Sequence, residues 1–104
     1  MTSEWRQLRE QLVPYIGERA VSLFAYAIAD ASGDDEGSVR LRSALVDAGE
    51  DPDSPQVTEA EQLLIDWGRL VAGSEEVPAD MTARLKAAFN PHLRDLLTAF
   101  AAQR

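Results

Sequence analysis

A chain of 104 residues is sized for one domain, and its 45% hydrophobic content is that of a folded globule, not of a disordered segment. Its 18 acidic and 10 basic residues give a net charge of −8, which repels phosphate backbones everywhere except at local basic pairs such as Arg40 with Arg42 and Arg84 with Lys86, so no nucleic-acid partner is expected. With no cysteine and a single histidine, disulfides, thiolate chemistry and a multi-histidine zinc site within one chain are excluded, and no cofactor or metal is expected.

The N-terminus does not read as a basic-then-apolar leader and no apolar run approaches membrane-span length, so the expectation is a cytoplasmic protein with no membrane partner. The pattern predicts one helical domain over 1–104, with an N-terminal helical arm over 1–14 and a core over 15–101. In the arm, Ser3 is placed to cap a short helix carrying Trp5, Leu8 and Leu12 on one side, with Pro14 ending it. Trp5 is expected to pack on the body of the protein or on a neighbouring subunit.

From Tyr15 to about Ala31 runs the most apolar segment. Ile16, Ala20, Leu23, Phe24, Ala27 and Ile28 share one face, and Val21 and Ala25 widen it. A helix apolar over so much of its circumference is covered on two sides, so this one is expected at the centre. Ser32 to Gly37, with two glycines and three acids, reads as a solvated loop. It does not read as an EF-hand, which closes with a glutamate at position twelve: counted from Asp30 that position is Leu41, and from Asp34 it is Leu45.

Ser38 is then expected to cap a third helix that buries Val39, Leu41, Ala44, Leu45 and Ala48 and stops at Gly49. A polar connector, Glu50 to Gln56, carries two prolines. It leads to Thr58 and Glu61, spaced as a capping box, in which each side chain takes a free backbone N–H of the first turn. Leu63, Leu64, Trp67, Leu70 and Val71 form the apolar stripe of that helix, and Gly73 stands where a left-handed residue would end it. Another helix is expected from Asp80 as N-cap, with Met81, Leu85, Ala88 and Phe89 inward. Asn90-Pro91 breaks and restarts the chain, since Asn caps well and Pro suits the first helical position; Leu93, Leu96, Leu97 and Phe100 follow as a buried face. The fold expected is all-α, an orthogonal bundle of about six helices.

Candidates for chemistry are few. Glu18 sits early in the apolar helix, where burial would raise its pKa and suit it as a general base; the competing expectation is a solvated Glu18 paired with Arg19 or another arginine. His92 lies in the first turn of the last helix, three residues before Asp95, on the same face. Asp66 is expected to be exposed and paired with Arg69 or Arg84. No nucleophile elbow, phosphate loop or dinucleotide fingerprint is present.

The order of helices resembles the carboxymuconolactone decarboxylase/alkyl hydroperoxidase D-like family over about Tyr15 to Ala101. The likeness is carried by GERAVSLFAYAIADA with its glutamate Glu18, by SALVDAGEDPD, and by the closing segments TEAEQLLIDWGRLVAG and MTARLKAAFNPHLRDLLTAF. The family's Cys-x-x-Cys-x-x-x-His motif is lost: Asp30 and Gly33 stand at the cysteine positions and Gly37 at the histidine. The resemblance therefore implies a non-redox member of the family, a binding or interaction module without peroxidase activity. It would have an apolar pocket near Glu18, Phe24 and Trp67, a small-molecule or protein partner, and the family's trimeric or hexameric assembly. Two alternatives stand beside it. One is a decarboxylase- or isomerase-type enzyme acting on a small lactone or acid, with Glu18 as base and His92 from a neighbouring subunit. The other is an unrelated acidic helical domain that binds protein.

Overall fold

In the computed structural model, which describes residues 3–102, the chain runs through α1 (Ser3–Ile16), α2 (Glu18–Ser32), α3 (Asp35–Asp47), α4 (Glu59–Ala72), α5 (Ala79–Ala88) and α6 (Pro91–Ala101), with no strand among the described residues. The bundle is all-α, as its composition and periodicity predict. No helix is long and apolar enough to cross a membrane among the described residues.

α2 is the axis. Every residue from Leu23 to Ala29 is buried, because α2 packs on α4 along one side, on α3 along another and on α1 at its start. Two apolar clusters divide its circumference. The larger joins Val21, Phe24, Ala25 and Ile28 to Leu12 of α1, Leu64 of α4, and Leu93, Leu96, Leu97 and Phe100 of α6. The smaller joins Leu23, Tyr26 and Ala27 to Leu45 of α3 and Ile65 of α4. At the middle of the larger cluster the fully buried ring of Phe24 lies 5.6 Å from Phe100 and 6.0 Å from Trp67, stacked on both. Gly68 makes this approach possible: a Cβ there would stand 2.5 Å from the Phe24 ring. Trp5 of α1 packs on Phe100 in turn, with centroids 5.3 Å apart, so it meets the body of the protein.

Several expected boundaries move, each for a local reason. Pro14 lies inside α1, which runs on to Ile16, so Tyr15 and Ile16 belong to α1 and not to α2. A proline removes its own N–H bond to the carbonyl four residues back and crowds that carbonyl, which here belongs to Glu10, an exposed residue. The break comes at Gly17, whose φ of 88° only glycine adopts readily and whose amide closes α1 on the Val13 carbonyl at 2.9 Å. The helix cap expected at Ser3 rests on a side chain outside the described residues.

The expected loop over 32–37 shrinks to Gly33 and Asp34. Asp34, not Ser38, is the N-cap of α3, taking the Gly37 amide at 3.0 Å, and Asp35 and Glu36 place negative charge in the first turn, where the helix dipole favours it. On α3 only Gly37 and Leu45 are buried, while Val39 is 65% exposed and Ala44 and Ala48 are exposed, because α2 is the one helix packed extensively against it among the described residues.

The Thr58–Glu61 capping box forms as expected. Gly73, however, has an ordinary φ of −83°, and Ser74 takes the left-handed turn at 57°. The closing bonds explain the shift: the amides of Ser74 and Glu75 return to the carbonyls of Val71 and Leu70, which sets the left-handed position at 74. α5 opens from Pro78, with Asp80 in its first turn instead of at its cap; Leu85 is buried, Met81 and Phe89 are half-buried and Ala88 is exposed. Asn90 caps α6 through the Leu93 amide at 2.8 Å, with Pro91 in the first turn.

Candidate functional site

Among the described residues, three surface clefts are told apart by their charged side chains. The first, about 480 Å³, lies where α1, α2 and α3 meet and is lined by Arg9, Glu18, Arg19, Ser22, Leu45 and Glu50. Its charges are tied to one another. Arg9 pairs with Glu18 at 3.3 Å. Arg19 reaches Glu50 at 2.6 Å and Glu61 at 3.5 Å, and also donates to the Gln56 carbonyl. The hydrogen bond to Glu50, aided by the charges of Glu50 and Glu61, raises the pKa of Arg19.

The second cleft, about 330 Å³, runs beneath the connector and includes Tyr26, Asp53, Gln62 and Arg69. Here Arg42 grips Asp53 with both terminal nitrogens, at 2.8 and 2.5 Å, and donates to the Tyr26 hydroxyl at 3.0 Å. These bonds, first to Asp53 and then to Tyr26, push the Arg42 pKa up, and the Arg42 bond holds the Asp53 carboxyl below its ordinary value. Arg69 meets Asp30 of α2 at 2.8 Å, and Asp66, exposed as expected, accepts from Gln62 at 2.8 Å in place of an arginine.

The third cleft is a groove of about 250 Å³ between α5 and α6 over α4. Its apolar surface is Trp67 of α4, Leu85 of α5 and Leu97 of α6; its polar groups are Thr82, Lys86, Arg94, Asp95 and Thr98. The Arg94 Nε is buried without a hydrogen-bond partner among the described residues. None of the six ion pairs among those residues engages Arg94 or Lys86.

The residues singled out from sequence fall in different places. Glu18 is 75% exposed in the first cleft, paired with Arg9. His92 is exposed on α6, edge-on to the half-exposed ring of Tyr15 at 5.9 Å. Phe24 is wholly inside the core and lines none of these three clefts, whereas Trp67, which stacks on it, forms a wall of the groove. The structure thus brings Phe24 and Trp67 together and leaves Glu18 in a different cleft from Trp67. Arg94 carried no sequence signal: it sits one position from a buried leucine in an amphipathic helix, the ordinary place of a flanking arginine. Lys86 was visible only as half of a basic pair with Arg84.

No family model matches the chain, and no curated protein or solved structure is significantly similar to it.

Proposed function

We propose that this protein is a binding module that holds a small molecule in the groove between α4, α5 and α6 and performs no chemistry on it. One observation carries the reading: of these three clefts, this groove alone has charged side chains with no partner among the described residues, set beside Trp67. A convergent set of polar groups around apolar walls is what small-ligand sites consist of. The alternative of an enzyme using Glu18 and His92 has less support, since Glu18 is solvated and ion-paired and a general base is tuned by burial.

We further propose that the chain is a non-redox relative of the carboxymuconolactone decarboxylase family: its run of six helices supports the resemblance, and its lack of cysteine supports only the non-redox part. Titrating the ¹⁵N-labelled protein with a library of small aromatic fragments tests the binding reading. Saturable shifts confined to the Trp67 indole and to residues of α5 and α6 are expected; shifts clustered at Glu18 and Ser22 would move the site to the first cleft. The solution mass by light scattering tests the family reading separately: a trimer or hexamer agrees with it, and a stable 11.4 kDa monomer overturns it.

A further inference from the structure

We infer that the ligand of the groove is a carboxylate carried on a flat apolar body, with Arg94 as its anchor. This rests on the binding reading above and adds the chemistry of what binds. The groove's hydrogen-bonding groups decide the charge. Thr82 and Thr98 each donate their hydroxyl proton back to their own helix, to the carbonyls of Pro78 and Arg94 at 3.4 and 2.9 Å. Their oxygens can then only accept. Besides the neutral Trp67 indole N–H, the side-chain donors left over are cationic, Arg94 and Lys86, and the natural complement of such donors is an oxyanion.

Placement in the chain agrees. Sixteen of the 18 acids and six of the 10 basic residues precede residue 79, so residues 1–78 carry −10 and residues 79–104 carry +2. Within α5 and α6 themselves, Arg84, Lys86 and Arg94 outnumber Asp80 and Asp95, so an anion meets less repulsion on these two helices than on a chain of net charge −8 at large.

The acid in the groove narrows the class. Asp95 lines the same groove, and its negative charge opposes a dianion more than a monoanion. A carboxylate is therefore preferred to a phosphate. The remaining walls, Trp67, Leu85 and Leu97, are apolar and offer an aromatic face for stacking. The groove is slightly below the roughly 300 Å³ at which ligand pockets usually begin, which suits a body of one or two rings.

The test uses the full chain and three probes of one shape: 2-naphthoate, neutral 2-naphthamide and 2-naphthyl phosphate. Two signals are followed by NMR, the Trp67 indole N–H and the Arg94 Nε–H, which is sheltered from solvent exchange. Naphthoate is expected to bind saturably and about tenfold or more tighter than the amide, with the phosphate behind the carboxylate. Arg94→Gln is expected to erase the preference for naphthoate over the amide, and Lys86→Gln, at an exposed position safe for folding, to reduce it. Equal affinity for naphthoate and naphthamide, or a preference that survives Arg94→Gln, overturns the carboxylate inference and leaves the binding reading standing. Tighter binding of the phosphate overturns the choice of monoanion. No saturable shift from any of the three overturns both.

Discussion

Arg19 and Arg42 are each held by several acceptors drawn from distant parts of the chain, whereas Arg94 and Lys86 meet none among the described residues. The two sides of the molecule therefore use the same kind of residue to different ends. On the α2–α3 side the arginines strap the connector over 50–57 to the helices: Arg19 takes Glu50 and Gln56 at its two ends, and Arg42 takes Asp53 between them. On the α5–α6 side the cations lie on a groove and leave their bonding capacity open. Charges satisfied internally support structure, whereas a buried donor without an acceptor, such as the Arg94 Nε, costs stability.

The two regions share one core, and that is where the largest effect lies. Phe24→Ala removes a fully buried ring stacked between Trp67 and Phe100, and a loss of about 3–5 kcal/mol is expected in chemical denaturation. A loss under 1 kcal/mol would mean that the core is not packed around this ring. Next in size is the contrast between the two arginines. Arg19→Met is expected to lower stability by about 1 kcal/mol, a modest figure because the pair is partly solvated. Arg94→Met should leave stability unchanged or raise it by up to about 1 kcal/mol, since a buried donor without an acceptor is removed. Equal losses from both substitutions would dissolve the comparison.

The smallest effect concerns pH. Bonding to Arg42 depresses the Asp53 carboxyl in the folded state, so the pair contributes stability that is fully present above the ordinary aspartate value of 3.8 and is lost as pH falls through the lower folded value. Carbon-detected titration of Asp53 should show a midpoint below 3.8, and Arg42→Met should return it toward that value. A midpoint at or above 3.8 in the intact protein would show that the strap does not hold in solution.

Much of the scaffold was legible because its signals are local. The Thr58–Glu61 box, the Asn90-Pro91 joint and the apolar breadth of α2 each depend on residues a turn or two apart, and each forms. Where local rules compete, the outcome depends on geometry that spacing does not carry. Pro14 reads as a stop, but the helix passes it and ends at Gly17 with its positive φ. Asp34 and Ser38 both make good caps, and the earlier one wins because α2 ends on the adjacent Gly33. Val39 looks like core but is exposed, since burial needs a second surface that pattern alone cannot supply. The candidate site was half visible. Trp67 stood out as a large apolar residue on a strong stripe, but the state of Arg94 depends on which arginines are already paired. Those pairings span 31 positions from Arg19 to Glu50 and 39 from Asp30 to Arg69.

Trp5, Phe100, Phe24 and Trp67 form one row of rings, each within 6.0 Å of the next, and the two indoles at its ends are the chain's only tryptophans. The molecule thereby carries two optical reporters with separate territories, joined by phenylalanines that are dark at tryptophan wavelengths. Trp67→Phe leaves an emitter that watches the seat of α1 on α6; Trp5→Phe leaves one that watches the groove. Melting curves from the two variants that coincide would mean α1 unfolds with the rest. An earlier curve at Trp5 would make α1 a detachable lid over Phe100, with a stability of its own.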